Sequence, residues 1–290
     1  MEGRGRGAPA ELELIRDALR AAQEAVARSL ADRGREYLGT RGYFGDATLV
    51  VDRAAEEAVL SVVESRLPDA YVVTEEAGIR EGEGPLVLLD PVDGSMNARR
   101  GIPSFSTAIA ITRRAGRRYS DIVAAGVLDH ATGDIIWGDA EGVYVGWRPA
   151  SPSGAEHLED ALVDFQSQTH LAGDAEARGI AAVMRRAKYP RILGSAALGI
   201  AYVAAGSADA FVAHYGGLRT FDCVPSMFLL ESAGGYLAPI GVELDSVELD
   251  SGVRLRLLAT GGRGLMEELV DALGLGPEVR SGIRGGRASR

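Results

Sequence analysis

Two aspartates stand three residues apart in Leu86-Val87-Leu88-Leu89-Asp90-Pro91-Val92-Asp93-Gly94-Ser95-Met96-Asn97, where an apolar run leads straight into acid. Carboxylates that close repel each other unless a cation or a proton holds them. Pro91 disfavours a helical conformation at Asp90 and removes one backbone donor, so the peptide is expected to bend with the Val92 carbonyl free to face a ligand. A second acidic pair, Glu75-Glu76, follows another short apolar run. If the two runs are neighbouring strands, their ends bring Glu75 close to Asp90 and Asp93. Neither segment contains His or Cys, and an all-oxygen donor set selects a hard cation, magnesium before zinc or copper. Such a site keeps coordination positions for a phosphate and for water. Each piece also has an ordinary reading, since Asp-Pro and Asp-Gly are common turn chemistry and an isolated Glu-Glu is a solvated strand end. Their joint occurrence favours a cation cradle.

The elements that must position these groups follow from periodicity. Leu12, Ile15, Leu19, Ala22, Val26 and Leu30 recur at three- and four-residue steps, which predicts a long amphipathic helix ended by Gly34 and Gly39. A loop from Thr40 to Gly45 leads to Asp46, and a second helix is expected from Asp52 to Arg66, closed by Pro68 and Asp69. Ala70 to Val73 and Leu86 to Leu89 read as buried strands, each stopping at a carboxylate. An antiparallel run is expected over Ser106 to Thr112, Ile122 to Leu128, Asp134 to Trp137 and Gly142 to Val145, with Thr132-Gly133 as a hairpin turn. Farther on, Leu198 to Ala205, Val224 to Ser232 and Leu265 to Leu273 read as helices, and Ala210 to Ala213 and Leu255 to Ala259 as strands. The Pro, Ser and Gly of 151–154 mark a boundary between an α+β half, 1–150, and an α/β half, 151–290.

With 290 residues, 46% hydrophobic and 25% charged, the chain can bury a substantial core. A net charge of -10 opposes the basic surface that nucleic acid requires. Cys223 is the only cysteine, so there is no intrachain disulfide and no thiolate cluster, which fits a reducing cytoplasm. No run approaches the roughly 20 apolar residues of a membrane span, and the Gly/Arg-rich start, Met1 to Pro9, does not resemble an export signal. Arg280 to Arg290 reads as a frayed, solvated tail. The four histidines are scattered without a Ser or Cys partner, and His214 alone lies near the acidic segments.

Asp90-Pro91-Val92-Asp93-Gly94-Ser95, with Asn97 after it, resembles the Asp-Pro-(Ile/Val)-Asp-Gly-(Ser/Thr) signature of the inositol monophosphatase family. Glu75-Glu76 sits where that family has its Glu-Glu. Phe221-Asp222, followed after a helix by Ala233-Gly234-Gly235, is similar to its second signature, and Gly194-Ser195-Ala196-Ala197 to its Gly-(Ser/Thr)-Ala-Ala segment. The resemblance implies an α/β, α+β layered sugar-phosphatase fold, alternating helix and sheet layers with the site between two halves. It implies Glu75, Asp90, Asp93 and Asp222 as carboxylate ligands and Val92 as a carbonyl ligand of Mg2+, two or three ions per site. It makes Asp46 and Ser95 the pair that takes a proton from the attacking water. Gly94, Ser95, Gly194, Ser195, Ala196, Tyr215 and Arg219 would bind substrate, with the Gly94 and Ser95 amides facing the phosphate if they open a helix.

Three departures bear on the substrate. Phe221 replaces the family's Trp. Ser232 stands where the family has Glu, and Glu231, about 100° away on a helix, does not inherit that place. Tyr215 replaces the Glu that binds sugar hydroxyls in the mammalian enzymes. The likeness is nearest to the archaeal branch, which acts on inositol monophosphate and fructose 1,6-bisphosphate. The expected protein is a magnesium-dependent phosphomonoesterase acting on a small phosphorylated metabolite, a cytoplasmic homodimer with no nucleic-acid or membrane partner. Two rivals stand beside it: a phosphatase of 3'-phosphoadenosine 5'-phosphate, and a catalytically silent metal-binding regulatory protein.

Overall fold

A computed structural model describes residues 10–286. In chain order these form α1 (Ala10–Ala31), β1 (Tyr37–Arg41), β2 (Ala47–Leu49), α2 (Val50–Arg66), β3 (Tyr71–Thr74), β4 (Gly78–Arg80), β5 (Pro85–Asp93), α3 (Ser95–Arg100), β6 (Ser106–Arg114), β7 (Ile122–Asp129), β8 (Ile135–Asp139), β9 (Gly142–Val145) and β10 (Arg148–Ala150). After residue 150 come β11 (Leu162–Phe165), α4 (Asp174–Arg186), β12 (Tyr189–Arg191), α5 (Ala196–Ala204), β13 (Ala210–Leu218), α6 (Thr220–Ser232), β14 (Tyr236–Ile240), β15 (Leu255–Thr260), α7 (Arg263–Ala272) and α8 (Pro277–Ser281).

Two larger sheets result. The first has the order β10-β9-β8-β7-β6-β5-β3-β4 and the second β12-β11-β13-β15-β14. Leu12, Ile15 and Leu19 of α1 pack with Val59 and Val63 of α2 on one face of the first sheet, against Val87, Leu89, Ile109 and Ile111. Gly126 makes the fit possible, because a Cβ there would lie 2.5 Å from Ile15 Cγ2. The opposite face, through Leu86, Leu88, Ala108 and Val127, shares one core with α5, α6 and the inner residues Phe211, Ala213, Leu257 and Ala259 of the second sheet. The outer face of the second sheet is covered by Ile180 and Val183 of α4 and by Leu265, Met266 and Leu269 of α7. Helix, sheet, helix, sheet, helix is thus the order of the layers, and the apolar alternation of buried strands dictates it.

α5 and α6 form the middle layer, so they are apolar nearly all round: Leu198, Ile200, Ala201, Val203 and Ala204 in α5, and Val224, Met227, Phe228, Leu229 and Leu230 in α6, are all buried. Fully burying a Leu or Phe side chain is worth about 1.5–3 kcal/mol, which fixes these helices against both sheets. β5 runs on through Asp90 to Asp93 instead of stopping at Asp90, with an irregular register against β6 between the two aspartates. The tail also departs from the sequence expectation. Arg280 lies in α8 and pairs with Asp271, and Arg284 forms a bridge with Leu237 and ion pairs with Glu231 at 2.7 Å and Asp245 at 3.0 Å. The tail is therefore anchored as far as Gly286, while Met1 to Pro9, Arg287 and Arg290 fall outside the described residues. No helix among the described residues is long and apolar enough to cross a membrane.

Candidate active site

Glu75 and Asp90 become neighbours because β3 and β5 run parallel with Thr74 opposite Leu89. Asp93 lies three residues farther along β5, and Asp222 comes from the first turn of α6. All four carboxylates line one cleft of about 600 Å³, together with Val92, Gly94, Ser95, Gly194, Ser195, Ala196 and Arg219. The structure thus brings these sequence-named residues together, among others that the sequence did not single out.

Helix starts converge on it. α3 begins immediately after Gly94, whose φ of 87° is a left-handed turn that suits glycine. α5 begins after Ser195, and its end faces Asp93, whose Oδ2 accepts the Ser195 hydroxyl at 2.6 Å and the Ala197 amide at 2.7 Å. α6 begins after Arg219, whose amide donates to Asp222 Oδ2 at 2.8 Å. α2 repeats this design, with the Leu49 amide donating to Asp52 Oδ2 at 2.8 Å. Helix amino ends offer unpaired amides and positive potential, which stabilise carboxylates there.

Burial still dominates the electrostatics. It pushes Glu75 and Asp90 well above the usual carboxylate range, and repulsion from Asp222 and Glu76 at Glu75, and from Glu75, Asp93 and Asp222 at Asp90, pushes in the same direction. Burial raises Asp93 too, against the Ser195, Ala196 and Ala197 hydrogen bonds that lower it, and raises Asp222 to about 7. Asp90 Oδ1 is buried without a hydrogen-bond partner. An acidic cluster only partly offset by Arg219, with an orphaned oxygen, suits a hard cation, and every donor present is oxygen. Among the described residues, no three His, Cys, Asp or Glu side chains already close on one point at ligating distance. Glu75 is instead drawn toward Arg219, 3.2 Å away.

Four expectations need correction. Asp46 does not pair with Ser95; its carboxylate is largely exposed and lies 2.7 Å from Arg219 Nη1. The carboxylate beside Ser95 is Asp52, buried in the same cleft and raised to about 7 by burial, while Ser95 pulls it partly back. The Val92 carbonyl is not wholly free: it accepts the Ser95 hydroxyl at 2.8 Å with one lone pair and keeps the other, while Asp52 Oδ1 has no hydrogen-bond partner. The hydroxyl thus stands close to Asp52 while its hydrogen goes to Val92. Tyr215 lies outside the cleft, fully buried, with its hydroxyl bonded to the Gln166 carbonyl. β13 alternates as far as Ala213, and the irregular register between Ala213 and Leu218 breaks the phase, so Tyr215 joins Ala210 and Val212 on the side that packs with Phe165 and Leu258. His214 is buried as well, and the histidine of the cleft is His170, in the loop after β11.

Other cleft residues carried no sequence signal. Gln166, Ser167 and Gln168 also line the cleft. Beside the cleft, an arm of about 330 Å³ is lined by Arg219, Arg254, His170, Gln168, Asp46 and Asp222. Glu76 braces the loop instead of facing the cleft centre, accepting the Thr48 hydroxyl and closing on Gly42. Arg99 stacks on Tyr37, 4.6 Å from the ring centroid, outside the cleft lining.

Layers and cleft together define a layered α/β protein built round a buried carboxylate cluster at converging helix starts. A model of the inositol monophosphatase family matches residues 10–273, and the chain belongs to that family. It is 31% identical over 245 residues to a fructose-1,6-bisphosphatase/inositol-1-monophosphatase of Methanothermobacter thermautotrophicus, covering 80% of this chain and 85% of the relative. With the protein of that name from Archaeoglobus fulgidus it shares 32% identity over 259 residues, 84% of this chain and 93% of the relative. The crystal structure of extragenic suppressor protein suhB from Bartonella henselae superposes with a TM-score of 0.78, covering 91% of this chain and 98% of that one, at 22% identity, which shows the common fold.

Proposed function

We propose that this protein is a magnesium-dependent phosphomonoesterase that hydrolyses a small sugar or polyol phosphate, inositol monophosphate or fructose 1,6-bisphosphate, by attack of water. The observation that carries this reading is the gathering of Glu75, Asp90, Asp93 and Asp222 in one cleft at the starts of α3, α5 and α6. These four carboxylates and the Val92 carbonyl would hold the ions. When bound, magnesium would polarise the phosphoryl oxygens, lower the pKa of water and neutralise the leaving alkoxide. The first amides of α3, at Ser95 and Met96, have no partner within the helix and would orient the phosphate. Asp52, with a pKa of about 7, is suited to take a proton near neutral pH through the adjacent Ser95 hydroxyl. Release of that hydroxyl from Val92 would let it donate to Asp52 Oδ1.

The side arm has room for a second phosphate, with Arg254 and His170 set beside Asp46 and Asp222 in its lining. The archaeal relatives of combined name support a bisphosphate sugar as substrate. The catalytically silent regulatory protein and the nucleotide phosphatase stand as the rival readings. A homodimer belongs to the proposal on family likeness, and the free, buried Cys223 suits a reducing cytoplasm. Phosphate release from inositol 1-phosphate, fructose 1,6-bisphosphate and 3'-phosphoadenosine 5'-phosphate, with magnesium and with chelator, tests these readings together. The expected result is magnesium-dependent release greatest for the bisphosphate sugar and abolished in Asp93→Asn, which stays folded. No release from any of the three, or full release in chelator, would overturn the proposal.

A further inference from the structure

We infer that Arg219 is a built-in counter-cation of the cleft, competing with the divalent ion for Glu75 while latching the 42–46 loop beside the cleft. The inference rests on the reading of Glu75 as a ligand. One guanidinium nitrogen, Nη1, lies 2.7 Å from Asp46 Oδ2 and 3.2 Å from Glu75 Oε1. The other, Nη2, donates to the Phe44 carbonyl at 3.2 Å. The group lies over the rings of Phe44 and Phe221, with centroids at 5.4 and 5.8 Å, and those rings pack on each other at 5.2 Å. Its side chain is only 15% exposed. A planar fork with fixed donors, held on two rings, cannot swing away as a lysine would.

Two consequences follow from one nitrogen serving two carboxylates on different segments. An ion that takes Glu75 arrives beside a fixed positive charge, and repulsion there weakens its binding relative to a neutral side chain. Once Glu75 turns to the ion, Arg219 keeps Asp46 and the Phe44 carbonyl, so the loop stays fastened while the ligand set closes. Arg219 is in this sense a positioning residue, acting on the loop and on Glu75.

Calorimetric titration of the full chain with magnesium alone, beside limited trypsin digestion after Arg41, separates charge from fork geometry. Arg219→Met should bind magnesium about tenfold more tightly, a shift of about one pKa-unit equivalent, and be cut after Arg41 about tenfold faster. Arg219→Lys keeps the charge and loses the fork, so its magnesium affinity should stay near the wild type while cleavage still rises. Asp46→Asn, at an exposed position that folding tolerates, should loosen the loop and weaken magnesium binding, because Arg219 is left to Glu75. Unchanged or weaker magnesium binding in Arg219→Met would overturn the competition, and unchanged cleavage in all three variants would overturn the latch. If the wild type releases phosphate with magnesium yet these variants match it, the inference alone fails. If the wild type takes up no magnesium, the metal reading falls and competition with it, and the digestion still decides the latch.

Discussion

Asp52 and Asp222 occupy equivalent places, each at the third position of a helix whose preceding amide it accepts, and both line the cleft. This makes Asp52, with Ser95, the pair expected to move the proton. Ser95→Ala, Asp52→Asn and the double variant should each lower kcat by about 10²- to 10⁴-fold, to a common level, since members of one unit are not additive. Asp46→Asn should affect kcat far less. Rates at saturating magnesium for all four decide it, and multiplicative losses from Ser95 and Asp52 would refute the pairing. The sequence showed both aspartates six residues apart in Asp46-Ala47-Thr48-Leu49-Val50-Val51-Asp52. Choosing between them needs the point where strand gives way to helix, at Leu49, and that depends on the turn of β2 into α2. The acidic pairs were legible because parallel strand ends bring like groups together. His170 and Gln166 were not, because an irregular loop has no period to read.

Among the elements, long amphipathic or apolar segments were recovered within a few residues, whereas short elements such as β1, β2, β4, β10, β11, β12, β14 and α8, and the helix α4, were not foreseen. Short strands such as Tyr189–Arg191 take their conformation from the neighbours they pair with, here β11. The end of α6 shows how a departure in sequence can be structural. Glu231, 1% exposed, turns inward to accept Tyr119 Oη at 2.7 Å and to meet Arg284 of the C-terminal segment at 2.7 Å. Its displacement by one position from the family pattern thus points it toward the tail and away from the cleft. Arg284→Met leaves a buried carboxylate with one partner fewer, and removing half of a buried pair costs about 3–5 kcal/mol. Urea unfolding should show a loss near the lower bound, because Arg284 is 26% exposed and Tyr119 remains. A change below about 0.5 kcal/mol, the level of ordinary surface substitutions, would mean that the tail is not anchored there.

At the scale of the molecule, the layer order was legible as a class from alternating apolar segments, but the covering of both sheets by α5 and α6 was not. A helix buried on every side has no polar stripe to mark which face meets which sheet. The shared middle layer also sets a timetable for synthesis. The chain leaves the ribosome amino end first, so all strands of the first sheet exist by residue 150, while its inner face waits for helices that end at Ser232. At about 5–20 residues per second that interval lasts roughly 4 to 16 seconds. Until α5 and then α6 are made, Leu86, Leu88, Ala108 and Val127 lack partners they meet in the finished core. A fragment of residues 1–150 should accordingly bind a hydrophobic dye and unfold without a cooperative transition, measured beside the full chain. Cooperative unfolding of that fragment would show that the first sheet closes on its own. The nascent protein is otherwise most exposed to aggregation just before its last proposed ligand, Asp222, is made, and a holding chaperone would act in that window.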